Sequence, residues 1–360
     1  MHVAWYKQMF YTLRRHISSV AFVAGFVWDT WTLTRIDAVY DNTVFVSYLV
    51  LAFTAILLVH SLETGKWAPA WLAKYKEWLP ALIQFPLGGL FSGFVIFYTK
   101  SASLVTSWPF LALLIALFFG NEFFRRRYER LVFQMSVFYF TLTSYLILVT
   151  PVMLGTIGTS TFVLATLVSL FVVAILLQVV MRLFPELYRR SMRGMWFSLG
   201  GIFVGFHALY FTNSIPPVPL ALTEIGVYHS VVRTDGNYRV RFEQPQRYAF
   251  WRSTDARYHR APGEAAYCFS SIFAPTALRT KVYHSWQRKT ADGVWVREER
   301  VGFPVVGGRD NGYRGYTIRA NLTEGDWRCV VEIENGQVIG ETRFTVIAVD
   351  KPTAQVEGVR

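Results

Sequence analysis

The sequence contains little cysteine and little charge. Two cysteines in 360 residues are too few for a small disulfide-stapled fold. Charged residues make up 17% of the chain, whereas soluble domains carry about a quarter. Hydrophobic residues reach 53%. This balance excludes an average water-soluble enzyme, a disordered chain, a collagen and a coiled coil.

The apolar residues are concentrated before residue 215, in seven long runs. A helix of about 20 residues crosses the roughly 30 Å hydrocarbon core of a bilayer, and each run meets that length. The runs cover approximately residues 17–36, 43–62, 80–99, 103–121, 131–151, 156–181 and 195–214. Residues 1–214 are therefore predicted to form an α-helical membrane bundle of about seven transmembrane helices.

Lysine and arginine alternate between the two sides of these runs. With the N-terminus taken as cytoplasmic, the outer loops hold only Arg35 and Lys100. The inner segments hold fourteen basic residues: Lys7, Arg14, Arg15, Lys66, Lys74, Lys76, Arg125, Arg126, Arg127, Arg130, Arg182, Arg189, Arg190 and Arg193. This asymmetry predicts a cytoplasmic N-terminus and an exported C-terminal half. It also accounts for most of the +12 net charge, so we expect the lipid bilayer, and not nucleic acid, as the partner of these charges.

The sequence changes character after residue 215. Residues 215–222 contain three prolines within four residues and predict an extended linker. Apolar and polar residues then alternate with period two in eight short runs: approximately 226–232, 238–242, 265–273, 279–288, 294–301, 314–320, 328–334 and 338–347. We therefore expect an all-β antiparallel sandwich over residues 223–350 and a tail over residues 351–360.

Three segments of this half resemble a known family. They are Val282-Tyr283-His284-Ser285-Trp286, Gly325-Asp326-Trp327-Arg328-Cys329-Val330 and Gly336-Gln337-Val338-Ile339-Gly340-Glu341-Thr342-Arg343-Phe344-Thr345-Val346. Together they resemble the bacterial family called domain of unknown function 2914. The resemblance implies an extracytoplasmic β domain at the C-terminal end of a multi-span bacterial inner-membrane protein. It implies no established activity and no catalytic residues.

Both cysteines, Cys268 and Cys329, lie in predicted strands of the exported half. An oxidising compartment permits a disulfide between them, and two buried free thiols are the alternative. The chain has no C-x-x-C motif, which argues against a thioredoxin-like or zinc site. No pattern predicts a metal or cofactor.

Three polar residues within the predicted spans are candidates for function, because an ionisable group in lipid costs several kcal/mol. Asp29 lies near the outer end of its run and His60 near the inner end, while His207 is the most interior. One possibility is that these residues contribute to a proton or substrate path. The alternative is that each makes its polar contacts with the headgroup region or with a neighbouring helix.

Candidate binding residues lie in the exported half. Phe250, Trp251, Arg252 and Tyr258 fall in an irregular stretch, where aromatic side chains often serve recognition. His284 and Trp286 share one face of a predicted strand. They are either core residues or a stacking platform for a sugar or peptide. No G-x-S-x-G or H-E-x-x-H pattern is present, so no catalytic residues are predicted.

These patterns predict an inner-membrane protein of unknown activity. Its periplasmic sandwich is expected to act as a binding or scaffolding module for an envelope glycan, lipid or partner protein. The alternative is a transporter or membrane-embedded enzyme with its site among the helices and the sandwich as a cap.

Overall fold

The computed structural model describes residues 26–33, 35–65, 79–101, 103–123, 131–234, 236–247, 249, 252–276, 278–309 and 312–360. Within these residues, seven helices precede a β domain. They are α1 at 26–32, α2 Val39–Thr64, α3 Leu79–Lys100, α4 Leu104–Phe123, α5 Leu131–Leu154, α6 Thr159–Leu183 and α7 Pro185–Phe211.

Five of the described helices are long and apolar enough to cross a bilayer: α2, residues Leu82–Lys100 of α3, α5, α6 and α7. A shorter apolar stretch, Thr106–Gly120, lies within α4. The first predicted span, 17–36, is described only from residue 26 onward. Membrane-crossing helices are thus supported, whereas the count of seven spans is not confirmed.

Helix α7 begins ten residues before the apolar run that predicted it. Pro185 occupies its first turn, where a missing N–H costs nothing, and the charged residues that follow continue the helix. Hydropathy marks only the part of a helix that lipid can surround. The predicted span at 195–214 therefore corresponds to the apolar part of a longer helix.

Helices α2 and α3 approach closely because two glycines of α3 lie against aromatic rings of α2. A Cβ atom on Gly93 would lie 2.5 Å from Cζ of Phe45, and one on Gly89 would lie 2.5 Å from Cε2 of Tyr48. Small residues permit such contact between helices in membranes. The rings fill the space that the missing side chains leave.

Eleven strands form the described β domain. They are β1 Ala221–Tyr228, β2 Ser230–Thr234, β3 Asn237–Phe242, β4 Arg257–Arg260, β5 Ala266–Phe273, β6 Arg279–Lys289, β7 Trp295–Val306, β8 Tyr313–Arg319, β9 Gly325–Ile333, β10 Val338–Ala348 and β11 Val356–Val359. Two of them, β4 and β11, have four residues each and were not predicted, because so short a run shows no clear alternation. Strand β11 lies in the segment predicted as a tail.

The strands form three sheets, in the orders β4-β10-β9-β6-β7, β1-β5-β8 and β11-β3-β2. All pairs are antiparallel except β4 with β10, which is parallel. The antiparallel prediction is therefore confirmed for the domain in general and wrong for this pair.

The five-stranded sheet packs face to face with the sheet β1-β5-β8. Their shared core contains Trp286, Trp327 and Phe344 from one sheet and Val227 from the other. A disulfide joins Cys268 of β5 to Cys329 of β9, so it links the two sheets through the core.

The described chain forms two compact units. The first takes in described residues of Met1–Phe97, Leu111–Leu146 and Thr166–Gly205, and the second those of Tyr98–Phe110, Ile147–Ala165 and Phe206–Arg360. The second unit thus contains the β domain together with short stretches at the ends of helices. Within this unit, Asn335 Nδ2 donates to Tyr210 Oη at 3.0 Å, and the backbone N–H of Arg279 donates to the carbonyl of Gly155 at 3.0 Å.

The predicted linker, residues 215–222, is buried and turned within the second unit. Residues 215–220 are all buried, and the N–H of Leu220 donates to the carbonyl of Pro217 at 3.1 Å. Gln337 Nε2 also donates to the carbonyl of Ile215 at 3.0 Å. An exposed polyproline rod is therefore not formed, because β1 starts at Ala221 and the apolar linker residues pack against the domain.

Candidate functional site

One side of the five-stranded sheet carries a continuous polar surface. The inward side chains of β9 include Trp327, Cys329 and Val331, so period-two geometry turns Arg328 and Glu332 outward. Neighbouring strands contribute polar residues to the same side. We call this surface the basic face; it consists of Ser285, Gln287, Lys289, Trp295, Arg297, Arg300, Arg328, Glu332, Glu341 and Arg343.

Hydrogen bonds connect the first half of the basic face across β10, β9 and β6. Arg343 Nε donates to Glu341 Oε1 at 2.6 Å, and Arg328 Nη1 donates to Glu341 Oε2 at 3.0 Å. Arg328 also donates to Gln287 Oε1 from Nε at 3.0 Å and from Nη2 at 2.7 Å. The two arginines are thus held in fixed orientations by groups on three strands.

The chain of contacts continues onto β7. Ser285 Oγ accepts from Gln287 Nε2 and from Arg297 Nε, both at 3.1 Å. Glu332 is only 3% exposed, and its Oε1 accepts from Arg297 Nη2 at 3.3 Å and from Arg300 Nε at 2.7 Å. A nearly buried carboxylate requires such partners, because an unpaired one would be strongly destabilising.

Trp295 lies where three cationic groups converge. The guanidinium carbon of Arg328 is 4.6 Å from the ring centroid, that of Arg343 is 5.8 Å away, and Nζ of Lys289 is 5.9 Å away. All three are within the range of cation–π attraction. The ring therefore helps to concentrate positive charge at this corner of the sheet.

Positive charge exceeds negative charge on the basic face, with five basic side chains and two carboxylates. Arg297 and Arg343 each expose 51% of their side chains, so part of each guanidinium meets solvent. In the described chain, Lys289 forms no ion pair with an acidic side chain. Donors therefore remain for an anionic ligand after the internal hydrogen bonds are made.

A second polar cluster lies at the edge of the domain. His229 Nε2 lies 3.0 Å from Glu243 Oε1 and its Nδ1 lies 2.8 Å from Glu264 Oε1, while His259 Nδ1 lies 2.6 Å from Glu243 Oε2. Burial alone would raise the pKa of Glu243, but hydrogen bonds from His229 and from the side chain and N–H of His259 lower it from 4.5 to about 2. These groups satisfy one another and hold β3, β4 and the following loop together.

The predicted contact stretch is not a surface site in its described part. Phe250 and Trp251 lie outside the described residues. Tyr258 is buried, with its ring stacked 4.3 Å from that of His229, and Arg252 is half-buried and donates to the carbonyl of Arg343 at 2.6 Å. Tyr258 therefore serves packing, since strand β4 turns it toward the core.

His284 and Trp286 are completely buried between the sheets, so the stacking-platform hypothesis is wrong for both. His284 lies 2.8 Å from Ser270 Oγ and 3.1 Å from Thr317 Oγ1, and Trp286 Nε1 donates to the same Thr317 oxygen at 3.1 Å. Burial lowers the pKa of His284 from 6.5 to about 3, so the imidazole is neutral at physiological pH. Alternation showed that the two residues share a face but not that this face points inward.

The three polar residues of the predicted spans lie in separate surroundings. His60 is buried, with Nε2 2.8 Å from Gln134 Oε1 of α5 and Nδ1 2.8 Å from Glu63 Oε2. The ring of His207 lies 5.2 Å from that of Phe162, and Asp29 is half-buried in α1. Each of the three residues therefore has its own set of neighbours.

Among the described residues, one group has the spacing of metal ligands: Cys268, His284 and Cys329, whose ligand atoms lie within 4.8 Å of one another. The two sulfur atoms are bonded to each other. Because metals bind thiolates, this group is not a metal centre while the disulfide is intact.

Comparisons with known proteins give one informative match. No curated protein matches the chain. One solved structure, Pseudomonas fluorescens alkylpurine DNA glycosylase AlkC bound to DNA containing an abasic site analog, aligns over 87% of this chain and 99% of its own, with 11% identity and a TM-score of 0.18. So low a TM-score carries no argument about fold or function. Residues 279–346, in contrast, match the family described as protein of unknown function (DUF2914), which confirms the resemblance seen in the sequence.

Proposed function

We propose that this chain is a bacterial inner-membrane protein that crosses the bilayer seven times and presents its β domain in the periplasm. The alternation of basic residues supports this orientation. The Cys268–Cys329 disulfide also supports it, since disulfides persist in oxidising compartments. In this proposal, the β domain in the periplasm is the sandwich expected from its alternating strands.

The two spans beyond the five long helices are assigned to residues 17–36 and to α4. Helix α4 has 20 residues and is about 30 Å long at 1.5 Å per residue, which is enough to cross the hydrocarbon core. An odd number of spans places the two ends of the chain on opposite sides of the membrane. The inner segments then carry the arginine clusters.

We propose further that the β domain is a binding or scaffolding module and that its basic face is the contact surface. The main support for this proposal is that the hydrogen-bonded, positively charged network lies wholly within residues 279–346, the segment that matches DUF2914. Its arginines are positioned by hydrogen bonds, so little conformational entropy is lost when they bind a partner. An envelope component with negative charge fits this surface.

One observation favours the alternative of a site among the helices. His60 is buried on α2 and contacts Gln134 of α5, and an ionisable group inside a helix bundle is a common element of transport and proton paths. If His60→Ala abolished the cellular phenotype that depends on this protein, and substitutions on the basic face left that phenotype unchanged, this alternative would be favoured.

The orientation predicts the result of a reporter fusion. Alkaline phosphatase fused after Arg360 is expected to be active, and green fluorescent protein at the same position is expected to be dark, because the fusion point lies outside the cytosol. The same reporters fused after Arg130, between the fourth and fifth predicted spans, should give the opposite result. Fluorescence of the Arg360 fusion would contradict the topology.

The binding role predicts a variant-dependent capture. Full-length tagged protein, extracted from bacterial envelopes in mild detergent, is expected to retain an envelope component. Arg297→Gln/Arg343→Gln should reduce its amount roughly tenfold, since two charge-assisted contacts are lost. The control variant Arg239→Gln/Arg241→Gln removes the same amount of charge from exposed positions on β3. This control should retain the envelope component. Equal retention by both variants would exclude the basic face as the contact surface.

A further inference from the structure

We infer that the basic face binds an anionic glycan, a sugar polymer carrying carboxylate or phosphate groups. This inference rests on the proposed function and names its ligand class. Three features of the face support it: its unused hydrogen-bond donors, their spacing across the sheet and Trp295.

The donors left on the basic face suit carboxylate or phosphate oxygens. Arg343 uses Nε on Glu341, and Arg297 uses Nε and Nη2 on Ser285 and Glu332. Within the described part of the chain, the other nitrogens of these half-exposed guanidiniums make no hydrogen bond. Guanidinium presents paired N–H groups that match the two oxygens of a carboxylate or phosphate.

These donors are distributed over a distance that suits a polymer. Arg343 lies on β10 and Arg297 on β7, three strand spacings apart, which corresponds to about 14 Å at about 4.8 Å per spacing. Lys289 lies on β6 between them. An extended chain with repeated charges can contact the basic side chains of all these strands at once.

Trp295 provides the feature that distinguishes a sugar from a simple polyanion. Its indole lies among Lys289, Arg328 and Arg343, so an apolar ring face and cationic groups are adjacent. Sugars combine apolar C–H faces with polar edges and stack on aromatic rings. A charged sugar unit thus satisfies the ring and the cations together.

The two carboxylates of the face favour a glycan over nucleic acid. Glu332 and Glu341 lie within the network and lower its net positive charge, which weakens the attraction for densely spaced phosphates. Nucleic-acid surfaces carry basic residues with little opposing charge, because they follow one phosphate charge per nucleotide.

The test uses the full-length protein in nanodiscs of zwitterionic lipid. The probes are a galacturonate oligomer, the same oligomer with its carboxylates methyl-esterified, a glycerol-phosphate polymer and a single-stranded oligonucleotide. Calorimetry should detect binding of the first and third probes, with affinity falling as salt rises. Methyl esterification should weaken binding roughly tenfold or more, because it removes the charge and leaves the sugar unchanged.

Variants separate the basic face from general charge. Arg297→Gln/Arg343→Gln and Lys289→Gln should each weaken binding of the acidic oligomer, and Trp295→Ala should weaken it more than it weakens the glycerol-phosphate polymer. Arg239→Gln/Arg241→Gln should leave binding unchanged. Lys289 forms no part of the hydrogen-bonded chain, so its substitution tests the surface without disturbing the fold.

Three results would overturn the inference. These are equal affinity for the esterified oligomer, tighter binding of the oligonucleotide, and absence of binding to the galacturonate oligomer by a protein that unfolds at its normal temperature. In the last case, envelope capture that still depends on Arg297 and Arg343 would preserve the proposed function and point to a protein or lipid. Failure of both experiments would reject the two proposals together.

Discussion

Replacement of both cysteines, Cys268→Ala with Cys329→Ala, is expected to lower the free energy of unfolding of the β domain by about 4 kcal/mol. The bond closes a loop between residues 61 positions apart and thereby restricts the unfolded chain. The disulfide also joins the two sheets within the core cluster that contains Trp286. Its loss therefore leaves a packing defect near a large buried ring.

Pulse proteolysis of the full-length protein across a urea series measures this loss, with cleavage inside residues 223–350 as the signal. The wild type should shift to lower urea when a dithiol reductant is added, and the double variant should start at the lower midpoint and not respond. A wild-type midpoint that is unchanged by complete reduction would contradict the prediction.

The disulfide and the basic face are separable because β9 carries them on opposite sides. Cys329 points into the core, and its neighbour Arg328 points outward into the hydrogen-bonded network. Arg343→Gln and Lys289→Gln should therefore alter binding while the core remains intact, whereas Arg297→Gln also removes one of the two basic partners of the nearly buried Glu332. This separation allows the stability and binding experiments to be interpreted independently.

The sequence was sufficient to predict elements whose signal is local. Helix α6 is a long apolar run, and β9 alternates from Trp327 to Ile333 except at the apolar Val330. Arg328 could be assigned to one side of β9 for the same reason. Arg297 and Arg300 of β7 share a side only because the ladder to β6 shifts register between Glu299 and Arg297. Strand β4 could not be found, because its four residues pair in parallel with β10, nearly ninety residues later.

The candidate site depends on information that no single segment contains. Alternation shows that His284 and Trp286 share a face, but the packing of the second sheet decides that this face is buried. The contacts of Glu341 with Arg328 and Arg343 require the register of β10 against β9. Such registers are set by tertiary packing and by turns, so the network appears only when the sheet is assembled.

Acidification is expected to destabilise the β domain through His284. Burial holds the pKa of this imidazole at about 3 in the folded protein, against 6.5 in the unfolded chain. The unfolded chain therefore takes up a proton below about pH 6.5 while the folded domain does not. The stability is fully present above that pH and is lost as pH falls toward 3, by up to about 5 kcal/mol.

The neighbours of His284 support this sign, since Ser270, Thr317 and the ring of Phe303 carry no charge that would stabilise an imidazolium. Glu243 adds a separate loss at lower pH: its carboxylate contributes stability above about pH 4.5 that disappears as pH falls toward about 2. Between pH 6.5 and 4.5, the difference in the pH dependence of stability between the wild type and His284→Gln therefore reports the titration of His284.

Urea midpoints of wild type, His284→Gln and Glu243→Gln between pH 7.5 and 3.5 test this assignment. His284→Gln should be less stable at pH 7.5, because its amide replaces the imidazole imperfectly between Ser270 and Thr317. Its stability should nevertheless fall less between pH 6.5 and 4.5, whereas Glu243→Gln should lack the separate loss that the carboxylate causes below about pH 4.5. Parallel curves for wild type and His284→Gln over that interval would show that the buried imidazole does not set the acid sensitivity of the domain.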